Sequence, residues 1–278
     1  MTDNENVIVM GHSPEVSDNL QGKVVDFSFE AAEQKISFAV NIMNEQATLA
    51  DIVIPARKLS SKVAIAHRQT AAKHGQTVPC KKGCCSCCSS LIPMSVPEAF
   101  RLREEFLEMP GEQSNKLLHN CIVAAEKILK KTEKEKCQHT FAQEGKQQIT
   151  QINKWYSELG LVCPFLSGGG SCKIYEQRPL ACREHIVVGT ANACYKTSKI
   201  KPTVLPMDVS VLEALGQLAG ELEGTEVEAL ILPFSLAWAQ DNLARAERKW
   251  PAEKMVQRFA EIVQEKAANK INSVPLAS

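Results

Sequence analysis

The sequence predicts a mainly α fold, with helices around a cysteine-rich irregular region and a small N-terminal β-hairpin. Three observations predict it. Segments of 3.6-residue apolar periodicity, often opened by proline or serine, recur from about residue 56 to the C-terminus. Two short runs near the N-terminus alternate with period two. Residues 161–194 are rich in Gly, Pro and Cys and carry no helical period.

Taken in order, the first 22 residues are polar and are expected to be loose. Residues 24–29 and 35–42 alternate and form the hairpin. The stretch "ATLADIVIP" reads as a third strand stopped by Pro55, followed by a helix ending near Gly75. Pro97 opens the helix "PEAFRLREEFLEM", which Pro110 and Gly111 end. Ser114 is a candidate cap for a helix to about residue 136, with Leu117, Leu118, Cys121, Ala125 and Ile128 on one face. A further helix is expected over 140–159. Beyond residue 201, Asp208 is placed to cap "VSVLEALGQLAGEL". Two more helices, "PFSLAWAQDNLARAERKW" and "PAEKMVQRFAEIVQEKAANK", begin with proline. Residues 1–76, 77–200 and 201–278 are thus read as a hairpin-and-helix segment, a cysteine-rich region and C-terminal helices, packed as one globular unit.

Composition narrows the function classes. Lys plus Arg and Asp plus Glu both number 32, so the chain exerts no overall pull on nucleic acid or an anionic membrane. Aromatic residues are 5%, too few for a stacking platform along a single strand. The densest charged stretch, "EKILKKTEKEK", mixes signs and reads as a solvated helix face. Neither a secretory leader nor a bilayer-length apolar run is visible, which predicts a cytoplasmic protein with no nucleic-acid or membrane partner. No protein partner or protein substrate is named by any motif.

The chemistry lies in the cysteines. There are eleven, five of them in "CKKGCCSCC": Cys80, Cys84, Cys85, Cys87 and Cys88. An odd number in a chain without a leader argues against a disulfide framework. Clustered thiolates suit zinc, copper(I) and iron–sulfur clusters. Cys80, Cys84 and Cys87 have the spacing C-x3-C-x2-C, with Cys88 a fourth thiol, and Gly83 permits the tight backbone of such a knuckle. Cys87 and Cys88 point apart and serve two metals or two edges of one cluster. Cys163, Cys172 and Cys182 follow in the irregular region, with "SGGGS" between the first two read as a plain turn rather than an anion nest. Cys121 reads as a core residue on a helix face and Cys137 as a bystander thiol.

The segments "CKKGCCSCC" and "CPFLSGGGSCKIYEQRPLACR" resemble the YkgJ-type cysteine-cluster (CxxCxxCC) family, whose members are described as zinc- or iron-chelating. The shared pattern is C-x3-C-x2-C-C, then C-P-F-L, then G-x-C-x-I-Y-x-x-R-P-x-x-C-R. It spans residues 79–183. A more distant likeness is to flagellin lysine N-methylase. The resemblance implies metal-ligand roles for Cys80, Cys84, Cys87, Cys88, Cys163, Cys172 and Cys182. It leaves Cys85 at a variable position. The family carries eight such cysteines, and Cys194 is the candidate for the eighth, with His185 as the alternative.

Arg178 and Arg183 are placed to offset thiolate charge around the metal, and Pro179 fixes the turn between them. His185 otherwise reads as a polar neighbour of the site. His67 and His74, seven residues apart on one helix, read as solvated. The function expected is chelation of zinc or iron, mononuclear or as an iron–sulfur cluster, with storage or delivery as one use. The alternative is a metal-dependent or S-adenosylmethionine-dependent enzyme like a protein lysine methylase. C-x3-C-x2-C is also the spacing of radical S-adenosylmethionine enzymes. The helical surroundings and the fourth thiol at Cys88 argue against that version.

Overall fold

Alternating burial builds the first sheet. A computed structural model of the chain describes residues 7–10, 22–134, 146–195 and 198–273. Strands β1 (Val7–Met10), β2 (Lys23–Ala31) and β3 (Gln34–Ile42) form one sheet in the order β1-β3-β2. β2 and β3 are the expected antiparallel hairpin, with Ala31 opposite Gln34. Phe27 and Phe29 on one strand and Ile36, Phe38, Val40 and Ile42 on the other turn inward, as a period of two requires. The two turn residues, Ala32 and Glu33, have φ of 51° and 58°. Such a left-handed pair matches the twist of the hairpin but costs a non-glycine residue free energy. β1 runs parallel to β3 and buries Met10, so the segment expected to be loose contributes a strand. The rest of that segment, up to residue 21, lies outside the described residues.

The short strand β4 (Gln46–Ala47) precedes α1 (Val53–Lys73). This corrects the third strand expected before Pro55. Pro55 sits in the first turn of α1, where an amide hydrogen has no acceptor within the helix, so proline loses nothing there. The chain then forms β5 (Pro93–Ser95), α2 (Val96–Leu107), α3 (Gly111–Lys134), α4 (Lys146–Glu158), α5 (Leu180–Glu184) and β6 (Val187–Val188). A 3-10 turn at Ala191–Cys194 leads to β7 (Thr203–Val204), α6 (Val211–Glu223) and β8 (Ala229–Ile231), and a second one follows at Leu232–Phe234. Last come α7 (Ser235–Asp241), α8 (Leu243–Ala246), β9 (Trp250–Pro251) and α9 (Ala252–Ser273). The protein is mainly α, with nine α-helices among the described residues and only small sheets.

Several helix ends differ from expectation. α3 starts at Gly111 rather than after Ser114, whose hydroxyl donates to the Gly111 carbonyl at 3.1 Å. Its inward stripe is Leu117, Cys121, Ala124 and Ile128, while Leu118 is exposed. On α3 the Lys130–Glu126 pair bears out the solvated charged face. The helix expected over 140–159 is described from Lys146 to Glu158, and residues 140–145 lie outside the described residues. Ser210, not Asp208, caps α6 by accepting from the Glu213 amide at 3.2 Å. The Asp208 carboxylate instead accepts from the Ala32 amide at 2.7 Å and so anchors the hairpin turn. The helix expected after Pro233 is broken at Asn242 into α7 and α8. His67 is buried rather than solvated, and its Nε2 accepts from the Asp208 amide at 3.2 Å. His74 is exposed and pairs with Glu33.

The largest core joins the three-stranded sheet to α1, α6 and α9, with Val63, Leu215 and Phe259 fully buried. A second core is built from Met94, Leu102, Leu117, Phe165, Ile174 and Leu232. Cys163, Cys172 and Cys182 pack against this second core. The loop region is therefore held by apolar anchors of its own. Phe165, Ile174, Leu180 and Ile186 are all within 1% of complete burial, and each stabilises the loops by about 2 kcal/mol.

The strained hairpin turn makes a prediction. Glu33→Gly should raise stability by about 0.5–1 kcal/mol, because glycine adopts a positive φ freely. The exposed Glu33–His74 pair that it loses is worth little. A urea melt checks this, and a loss of stability would contradict the turn geometry.

Candidate functional site

The five-cysteine stretch is a chain of tight turns. The Cys84 amide donates to the Lys81 carbonyl, the Cys88 amide to the Cys85 carbonyl and the Ser90 amide to the Cys87 carbonyl, each at 3.0 Å. Gly83 has φ of 90°, which admits no ordinary side chain without strain. Three hydrogen bonds fix the stretch at its ends. Cys80 Sγ accepts from the Val187 amide at 3.3 Å, and its carbonyl accepts from Arg68 on α1 at 2.6 Å. The Cys88 carbonyl accepts from the Cys163 amide at 2.6 Å.

The second cysteine segment is a small closed hairpin. The Lys173 amide donates to the Phe165 carbonyl at 2.8 Å, and the Ser167 amide to the Ser171 carbonyl at 2.9 Å. Leu166 and Cys172 bridge its two arms. "SGGGS" is thus the hairpin tip, as the plain-turn reading expects. Gly170 has φ of 77° and lies against Cys85, whose Sγ is 3.4 Å from the place a Cβ would take.

Cys182 rides on α5, and the start of α5 is tied to the start of α2 by one residue. Glu98 has no exposed surface. One carboxyl oxygen accepts from the Leu180 amide at 2.7 Å, and the other accepts from the Ser95 amide and hydroxyl at 3.0 and 2.9 Å. The Ser95 amide contact belongs to a capping box at the start of α2. Its S-x-x-E signature stands in "SVPE" and was the readable signal for this residue.

These elements meet around a cavity of about 470 Å³. Cys80, Cys84, Cys87, Cys88, Cys163, Cys172 and Cys182 all line it. Cys85 and Cys194 do not. Cys194 ends the 3-10 turn and lies within electrostatic reach of Cys80, Cys87 and Cys84. His185 lines the cavity. Cys121 is buried in the second core, as expected, and Cys137 lies outside the described residues. The ten described cysteines are free thiols.

The two arginines diverge. Arg178 lines the cavity, stacked on the Tyr175 ring at 4.0 Å. Its Nε is buried without a hydrogen-bond partner among the described residues. Arg183 does not line the cavity. It donates to the carbonyls of Arg178 and Glu176 and to the Ser61 hydroxyl of α1, so it holds the loop that carries Arg178.

Burial dominates the thiol electrostatics. It pushes the Cys163 thiol up to about 12 and also raises Cys172 and Cys182. Cys87 runs the other way. A hydrogen bond from the Cys88 thiol favours its thiolate, and the Arg178 charge adds to this. Among the described residues no three or more His, Cys, Asp or Glu side chains are gathered tightly enough to hold a metal ion as they stand. Ion capture at the seven-cysteine cavity would require the thiols to rotate toward a common point.

No protein-family model, no curated protein and no solved structure matches the chain. Among the described residues no helix is long and apolar enough to cross a membrane.

The Glu98 joint is testable. Glu98→Ala leaves buried amides without acceptors and should cost about 2–4 kcal/mol. Burial also raises the Glu98 pKa above its ordinary 4.5. The folded state therefore keeps this proton to higher pH than the unfolded chain does. The resulting stabilisation is complete below about pH 4.5 and is lost as pH rises through the folded value. Thermal melts from about pH 4 to about pH 8 should show the wild type losing stability relative to Glu98→Gln. A constant difference would contradict the burial of an ionisable group there.

Proposed function

We propose that the protein binds zinc or iron through Cys80, Cys84, Cys87, Cys88, Cys163, Cys172 and Cys182, and that it is a member of the YkgJ-type cysteine-cluster family. One observation carries this reading: cysteines from two segments far apart in sequence line one cavity. The donor set suits the ion. Sulfur is the ligand atom of structural zinc and of iron–sulfur centres. The partnerless Nε of Arg178 and its stacked guanidinium supply the positive charge that a cluster of thiolates needs beside it. Rotation of a cysteine side chain about one bond redirects its sulfur, and the tight turns leave the backbone in place while that happens.

Cys194 is the eighth ligand in this proposal. It approaches from the Cys80 side, because the Gly189 amide donates to the Thr77 carbonyl at 2.8 Å and brings the 3-10 turn alongside. His185 is the alternative. Bound there, zinc supplies a cross-link between the loops, and an iron–sulfur centre supplies an electron store. Free thiols at this density fit a reducing compartment, so the proposal places the protein in the cytoplasm. The methylase-like alternative has one observation in its favour, a cavity larger than one ion needs.

Elemental analysis and a visible spectrum of anaerobically purified protein test the reading. Stoichiometric zinc without colour, or iron with a visible band, is expected. Cys84→Ser and Cys172→Ser should each lose most of the metal, and Cys85→Ser should keep it. Cys194→Ser should lose metal where His185→Ala does not. Equal retention in all four cysteine variants would overturn the ligand set.

A further inference from the structure

A metal ion is about the size of a water molecule, which takes roughly 30 Å³ in the liquid. The cavity holds about 470 Å³, within the roughly 300–1,000 Å³ range of small-molecule sites. Sulfur-bound ions would fill only part of such a space. Much of the rest of the lining is apolar. Two short ladders contribute to it. Residues 91–93 come from the β5 side, where the Leu232 amide donates to the Ile92 carbonyl at 3.0 Å. Residues 204–207 come from the β7 side, where the Leu205 amide donates to the Ile186 carbonyl at 2.8 Å. The side chains they bring are Leu91, Ile92, Pro93, Leu205 and Met207, all apolar.

Apart from the thiols, the charged side chains on the wall are mostly positive. Arg68, Lys81 and Arg178 line the cavity against one carboxylate, Glu184. Glu184 is already engaged: its oxygens accept from the Ser210 hydroxyl at 2.9 Å and from the Leu212 amide at 3.0 Å. Arg68 spends one donor on the Cys80 carbonyl. Arg178 forms no ion pair or hydrogen bond through its side chain with any described residue. One face of its guanidinium lies on Tyr175 at 4.0 Å, which leaves the edge donors in the plane of the group unspent. A planar fork of that kind matches a carboxylate.

We propose that this cavity binds a small organic monocarboxylate with a short apolar chain, its carboxylate on Arg178 and its chain against residues 91–93 and 204–207. The inference rests on the metal reading only in that the sulfur side is taken by the ion. No bond is made or broken in this step.

The probe is octanoate, with 1-octanol as its neutral counterpart, titrated calorimetrically into the protein as isolated, with metal content measured on each sample. Octanoate should bind at least tenfold more tightly than octanol, and Arg178→Gln should weaken octanoate at least tenfold. Leu205→Trp, which fills part of the apolar wall, should abolish octanoate binding with metal content unchanged. No octanoate binding by the metal-loaded wild type would overturn the proposal, as would equal affinities for acid and alcohol. Arg178→Gln that binds octanoate normally, whatever its metal content, would overturn it as well. A chain isolated without metal would overturn the function above and not this inference, which the same titration then tests on the metal-free protein.

Discussion

Glu98 carries a carboxyl group with no exposed surface, and its oxygens accept from the Leu180 amide on one side and from Ser95 on the other. Burying such a group costs several kcal/mol unless its oxygens are met by donors. Here three donors meet them, and they belong to two different parts of the chain. The start of α2 and the start of α5 are thereby locked together. α5 bears Cys182, and α2 leads directly from the strand that follows the five-cysteine stretch. This buried acid, with the direct Cys163–Cys88 backbone hydrogen bond, fixes the spacing between the two cysteine segments. Arg183 adds a second tie, from the loop before α5 to α1.

With that joint in place, the irregular region keeps its shape through a few fully buried side chains. Phe165 and Ile174 flank the Cys163–Cys172 hairpin and insert into the second core. The hairpin tip is exposed glycine, but its arms are pinned. This is why loops without regular structure can present thiols at fixed places. It also explains why the thiols are hard to ionise: the same burial that anchors Cys163 and Cys182 disfavours their thiolates. A metal ion would reverse that preference by replacing the protons.

Much of this was legible in the sequence, and the misses share a cause. Period-two alternation located β2 and β3 to within a residue or two, because one face is buried and the other wet. The long helices were legible from their periodicity, and the free thiols of the two cysteine segments from their spacing. The misses came where a residue had two permitted roles and tertiary context chose between them. Pro55 can stop a strand or open a helix. Asp208 can cap α6 or accept from a hairpin turn, and the left-handed turn at Ala32 needed the acceptor. His67 looked solvated because nothing local says that Asp208 folds over it. The apolar wall of the cavity was invisible for the same reason: Ile92 and Leu205 flank a three-residue and a two-residue ladder, too short to show as alternation in the sequence. Glu98 was a readable cap, yet its contact with Leu180 was not.

The central claim is that the cysteines of both segments hold one metal centre. X-ray absorption at the metal edge of the protein as isolated tests it most directly. The account predicts a shell of sulfur at about 2.3 Å around zinc or iron, four sulfurs per metal, that loses sulfur in a Cys172→Ser protein. A shell of oxygen and nitrogen alone, or a sulfur shell unchanged by that substitution, would contradict it.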